Sequence, residues 1–313
     1  MERVLFLLAA AAVVAFAAVA PVPSGAFGWI VVAAAVAAIG LPHGALDTRV
    51  ARTAFGLGGT RGVAGFVAAY LAAAGVVALL WIAAPVAALC AFLAYAALHF
   101  GQDWTKRPAT AFLFGAALLA MPALRFEAEV AAIFHAMTGD GAAVAALMHA
   151  AAPVLGIAAL ALAVRQGGAA GGAAVELGAW GAVALAAPPH IAFAVYFAAL
   201  HSPRHFRETA QDLGLSTREA LGAALPWTLP VALVGAGAAA WLAGGGTGAA
   251  DALARVIFVG LACLTVPHMV LEMIVERPAW REAVRAAIGR SGRTRAARAD
   301  SEASAGVARA PRR

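Results

Sequence analysis

The chain has 313 residues, of which 63% are hydrophobic and 12% charged, about half the charged share of an ordinary soluble domain. With a mean hydropathy of +0.86, that balance excludes a soluble globular enzyme and predicts an all-α, polytopic membrane bundle. The net charge of +6 gathers largely beyond Arg277, and such a basic tail reads as lying on anionic lipid rather than as a nucleic-acid arm.

Ten apolar helices are predicted in chain order, at about 4–20, 26–43, 62–83, 85–101, 109–123, 142–164, 173–187, 189–206, 218–243 and 251–275. A span needs about 20 residues, so the fifth and seventh read as half-helices, and eight to ten helices cross the membrane. The first follows Met1-Glu2-Arg3 and is expected to stay as a membrane helix rather than be cleaved as a signal peptide. Pro188-Pro189 separates the seventh from the eighth and suits a helix start. Abundant Ala and Gly let helix backbones approach closely. Cys90 and Cys263 lie in apolar runs with no CxxC anywhere, so they read as packing residues and not as a disulfide. Two parts are expected: a membrane domain at 1–276, and a basic, partly disordered cytoplasmic tail at 277–313, with order fading after about Ile288.

Lys and Arg in short loops set the orientation. With the amino terminus inside, one face collects Arg49, Arg52 and Arg61, then Lys106 and Arg107, then Arg165, then Arg204, Arg207 and Arg218. The opposite face has Arg125 alone, in the segment 124–141, beside Glu127, Glu129 and Asp140. Both termini are therefore placed in the cytoplasm, in a multi-pass protein of the cell membrane.

That topology puts five histidines in the cytoplasmic half of the membrane: His43, His99, His201, His205 and His268. His135, His149 and His190 fall on or toward the other side. Polar side chains at membrane depth usually mark function. His201 and His205 stand at i and i+4 and share a helix face, although Pro203 between them removes a backbone donor and bends the turn. A polar residue follows four positions after His43, His99, His201 and His268, namely Asp47, Asp103, His205 and Glu272. A metal-bound imidazole usually donates its second N–H to a carboxylate or carbonyl, which such a residue, or one from another helix, would supply. The plainer reading of the aspartates is that they end helices and pair with Arg49 or Lys106. His268 is open between ligand, hydrogen-bond donor and packing residue.

Imidazole suits zinc, copper, iron and nickel alike, while the lack of a thiolate at this depth argues against blue copper and iron–sulfur sites. A membrane site implies a lipid-soluble substrate, for which iron(II) with open positions would allow oxygen activation. Two rivals carry the same residues: a transporter or proton pathway without metal, and a di-iron lipid hydroxylase or desaturase. The second lacks the paired histidines such boxes use, since there is no His-His dipeptide here. A retinal-binding opsin needs a buried lysine, and the only one is Lys106, in an interfacial loop.

Four segments resemble the motifs of the Brp/Blh-type β-carotene 15,15′-dioxygenases: Gly-Leu-Pro-His-Gly-Ala-Leu-Asp at 40–47, His-Phe-Gly-Gln-Asp at 99–103, His-Ser-Pro-Arg-His at 201–205 and Pro-His-Met at 267–269. The resemblance covers roughly residues 40 to 272. It implies a non-haem Fe(2+) held by His43, His99, His201 and His205, which cleaves the central double bond of β-carotene with O2 to give two all-trans-retinal. It also implies an apolar slot for the polyene, for which Tyr95, Phe100, Trp104, Phe193, Tyr196, Phe197 and Met269 are candidates. Asp47, Asp103, His268 and Glu272 are then second-layer or substrate-side residues, with the aspartates expected to orient ligands. The partners expected are carotenoid, O2 and membrane lipid, with no nucleic acid, and the retinal product is available to an opsin.

Overall fold

A computed structural model describes residues 1–168 and 171–275; the expected basic tail at 277–313 lies outside them. Among the described residues every regular element is helical. The elements are α1 (Glu2–Val19), α2 (Gly25–Ala35), a π-turn (Val36–Gly40), α3 (Leu41–Gly44), α4 (Asp47–Phe55), α5 (Gly59–Ala83), α6 (Pro85–Gly101), α7 (Pro108–Ala120), α8 (Ala123–Thr138), α9 (Ala142–Gly167), α10 (Gly172–Ala186), α11 (Pro189–Tyr196), a second π-turn (Phe197–His201), α12 (Ser202–Asp212), α13 (Thr217–Gly244) and α14 (Ala249–Val275).

The all-α membrane architecture holds, with fewer full spans than the apolar runs suggested. Among the described residues, six helical units are long and apolar enough to cross a membrane: α1, the run Gly25–Phe55, α5, α9, α13 and α14. Helices α6 and α10 are shorter, and α7 and α8 form one pair bent by 80°. The segment 124–141, expected as an outer loop, is mostly α8. Its charges at Arg125, Glu127 and Glu129 mask the apolar face that buries Val130, Phe134 and Met137. The kink falls at Phe126, whose φ/ψ of −122°/44° lies outside helical space.

Local chemistry explains where several helices begin and end. Prolines stand in the first turn of α6, α7 and α11, where a missing N–H costs nothing. Ser216 and Glu219 form a reciprocal capping box at the start of α13. Helix α4 ends on Gly56 at φ +63°, a left-handed conformation that glycine adopts without a Cβ penalty.

The two π-turns share one cause. A proline clashes with the carbonyl four residues back. For Pro42 that residue is Ala38, inside the first π-turn, and for Pro203 it is Ala199, inside the second. The widened turn relieves the clash while the helix continues, a device often found at functional sites. The turns also touch one another, because a Cβ on Gly40 would lie 2.5 Å from Phe197 Cε1. His43 and His201 follow from that contact.

Close backbone packing fixes the next histidine. A Cβ on Gly101 would run into the Ala111 carbonyl, and one on Gly115 into the Ala97 carbonyl. Helices α6 and α7 therefore meet backbone to backbone, as small residues permit in membranes. The segment from Pro189 to His201 is almost wholly buried and forms the middle of the bundle. Leu71, Val76, Leu79 and Ile82 of α5, with Leu233 and Val234 of α13, turn outward as a lipid-facing layer.

Candidate metal centre

All five histidines expected at one depth converge. His99, His201, His205 and His268 are buried, at 2%, 0%, 7% and 6% exposure, and His43 is half-buried. Ring centroids of His201 and His205 lie 4.5 Å apart, His99 and His201 4.8 Å, His43 and His201 5.5 Å, and His99 and His205 5.5 Å. His268 joins them at 5.4 Å from His43 and 5.8 Å from His99. The other three histidines stand apart: His190 stacks on Trp29, His149 bonds to the Ala123 carbonyl through Nδ1, and His135 belongs to α8.

Oxygen acceptors settle where the ring protons sit. His43 Nδ1–H donates to the Gly40 carbonyl at 2.5 Å. His201 Nδ1–H donates to Asp103 at 3.2–3.3 Å, and His268 Nδ1–H to Asp47 at 2.9–3.0 Å. Carboxylates and carbonyls only accept, so each of these nitrogens carries the proton, and in the neutral ring the lone pair lies on Nε2. His205 is reversed, with Nε2 3.0 Å from Asp103 Oδ1.

The carboxylates therefore serve histidines of other helices, not the histidine four residues before them. Helix α6 ends at Gly101, so Asp103 has left the helix on which His99 sits and reaches α12 instead. Its side chain is fully enclosed and also accepts the Tyr196 hydroxyl at 2.5 Å. Asp47 opens α4 after a turn at Ala45 and Leu46 and reaches α14. Glu272 faces three histidines from the exposed end, 3.4 Å from His268 Nε2, 3.8 Å from His205 Nδ1 and 4.0 Å from His99 Nδ1.

A further group holds Asp103 in place. Arg204 donates to the Asp103 backbone carbonyl at 2.9 Å and to both oxygens of Glu176 at 3.0 Å. Trp104, next to Asp103, donates its indole N–H to Glu176 at 2.8 Å. Sequence reading did not single out Glu176, although a lone carboxylate inside the apolar run of α10 was signal enough.

Among the described residues, Asp103, His201 and His205 form one set of possible donor atoms within 4.8 Å of one another. Those contacts are hydrogen bonds, so Asp103 orients imidazoles and spends its oxygens on their N–H groups. The better candidates are the bare nitrogens: His201 Nε2, His268 Nε2 and His99 Nδ1 are buried without a hydrogen-bond partner. Unsatisfied buried polar atoms are costly. A divalent transition ion bound by imidazole would satisfy them, and the donor chemistry fits one.

The cluster opens on a long apolar cavity. His43, His99, His201 and His268 line it, together with Phe100, Phe193 and Phe197. It follows α6 from Leu89 to His99, about 15 Å at the helical rise. The other expected slot residues are engaged elsewhere: Tyr196 with Asp103, Trp104 with Glu176, and Tyr95 with the Val266 carbonyl at 3.5 Å, while Met269 is buried on α14. Sequence reading missed Phe66, Tyr70, Trp227 and Phe258, which also line the cavity, because nothing local marks an aromatic side chain as cavity-facing.

Comparison with known proteins places the chain in a family. A family model described as beta-carotene 15,15′-dioxygenase matches residues 34–276, a segment holding all five histidines, both aspartates and Glu272. A protein of an uncultured marine bacterium, 66A03, named beta-carotene 15,15′-dioxygenase, is 29% identical over 265 residues, covering 78% of this chain and 93% of its own length. No solved structure matches the chain.

Proposed function

The chain belongs to the β-carotene 15,15′-dioxygenase family and is a carotenoid-cleaving dioxygenase, and on that footing we propose that it cuts the central 15,15′ bond of β-carotene with O2, using Fe(2+), to give two all-trans-retinal. Membership in that family decides against the transporter and hydroxylase readings. The observation that carries the proposal is a buried histidine cluster that holds unpartnered nitrogens and lines one apolar cavity. His43, His99, His201 and His205 would hold the ion. When bound, iron(II) with open coordination positions supplies activation of dioxygen.

The remaining work falls to the protein. Phe100, Phe193 and Phe197 beside the histidines hold the flat polyene against the cluster and keep water away. Asp103 fixes the His201 ring through Nδ1 and so aims Nε2 inward. One O2 and one carbon–carbon double bond yield two aldehydes, so atoms and electrons balance without a reductant or a general base.

The cavity reaches the lipid side. Leu71 of α5 and Val231 of α13 line it while remaining 61% and 37% exposed, and both helices pack on α14. A carotenoid dissolved in the bilayer can enter between them. The Lys and Arg pattern supports placing the chain in the cell membrane with both termini in the cytoplasm, and the retinal product within reach of an opsin.

The test is expression in cells that accumulate β-carotene, beside a His201→Ala, His205→Ala variant. Retinal formed by the unmutated protein, and absent with the variant, is the expected result. Unchanged pigment with well-folded, iron-loaded protein would refute β-carotene as substrate.

A further inference from the structure

His268 stands outside the four histidines that the motifs assign as ligands, yet its geometry matches theirs. Its ring is as near to His43 (5.4 Å) as the ring of His201 is (5.5 Å), and it meets His99 edge to face at 86°. It is one of the four histidines that line the apolar cavity, a face His205 does not share. His205 and Asp103 instead border a separate polar cavity with Gln102 and Glu208.

The hydrogen bonds sharpen the case. Asp47 is itself buried, at 5% exposure, and accepts from His268 Nδ1 with both oxygens. That contact is the same carboxylate–imidazole arrangement that Asp103 makes with His201, and metal-bound histidines use it to fix their tautomer. The lone pair of the neutral ring is then left on Nε2, which is buried with no hydrogen-bond partner. Glu272 Oε1 lies 3.4 Å from it. Two electron-rich groups facing each other in a buried site need a cation between or beside them. A proton on Nε2 would serve, making His268 an imidazolium tie between Asp47 and Glu272. However, the contact with Glu272 is long and lacks hydrogen-bond geometry, whereas the cavity and two further imidazoles lie close by.

We propose that His268, held by Asp47, is a fifth imidazole donor to the metal of this centre, an inference that rests on the metal-centre reading above. The centre is then built from two oriented pairs, Asp103 with His201 and Asp47 with His268, which bring in the second π-turn and α14, while His43 and His99 come from α3 and α6. With five imidazoles engaged, fewer positions stay open to small ligands than a four-histidine site would leave.

The experiment uses the full chain in detergent, loaded with Fe(II) without oxygen. It measures iron stoichiometry, the rate of iron loss to a chelator, and the number of imidazole donors by X-ray absorption. The expected results are five imidazoles in the unmutated protein and one fewer in His268→Ala, with iron lost at least about tenfold faster. Asp47→Asn keeps the ring but loosens its hold, and a loss of about tenfold in iron affinity is expected. The donor count of the unmutated protein decides the matter even where a variant fails to fold. Four imidazoles, with His268→Ala holding iron as firmly as the unmutated protein while His201→Ala loses it, would overturn the fifth donor and leave His268 as the imidazolium tie. No iron uptake by the unmutated protein would instead overturn the metal-centre reading itself.

Discussion

Replacing Glu176 with Gln tests whether the buried pair behind Asp103 holds the centre together. The side chains of Glu176 and Arg204 are 4% and 13% exposed, so neither charge is well solvated. Gln keeps one oxygen for Trp104 or Arg204 but removes the charge, leaving the guanidinium with neutral acceptors where it had the Glu176 carboxylate. Breaking a buried pair from one side typically costs about 3–5 kcal/mol. The bonds that survive here place the variant near the lower end, about 3 kcal/mol. At roughly 2–4 °C per kcal/mol for a chain somewhat smaller than this one, the apparent melting temperature should fall by about 5–10 °C. Iron content should fall with it, because Arg204 and Trp104 both tie the Asp103 loop to Glu176. The double variant Glu176→Leu, Arg204→Leu separates the two effects. Replacing a buried pair by apolar groups is often neutral, so stability should return toward the unmutated value. Iron binding should not, since the bond to the Asp103 carbonyl is gone. Thermal unfolding in detergent and iron analysis of the same samples give both readouts. A Glu176→Gln protein with unchanged melting and unchanged iron would refute the argument that this pair positions Asp103.

Two other expectations follow from single contacts. Asp103→Asn places an amide where three donors converge, from Tyr196, His201 and His205, so iron affinity should fall about 10–100-fold in a chelator titration, with full-length protein still recovered from the membrane. Val231→Trp narrows the passage between α5 and α13, so β-carotene turnover should slow severalfold with iron content unchanged; equal turnover would place the substrate's entry elsewhere.

Much of the centre was legible in the chain itself, for reasons that are local. Hydropathy over a helix length marks a membrane segment wherever it occurs, and Lys and Arg at the ends give each segment a direction. From these alone His43, His99, His201, His205 and His268 fall at one depth, and the structure brings all five together. The glycines that permit close contact, such as Gly101 and Gly115, are visible in the sequence as small residues, although which helix each one meets is not.

Other features were decided only by tertiary structure. Spacing of four residues suggested that Asp47 and Asp103 could serve His43 and His99. In the fold the helices end first, at Gly44 and Gly101, and each carboxylate turns to a histidine on another helix. The bend that joins α7 to α8 falls at Met121 and Pro122, just before the charged stretch whose hydropathy makes α8 resemble a loop, and Glu176 gains its meaning only when Arg204 and Trp104 arrive beside it. The sequence determines each residue's depth and helix face, because both follow from short-range chemistry. Which side chains meet is decided by packing between distant segments, here by two proline-driven π-turns that lean on each other at Gly40 and Phe197.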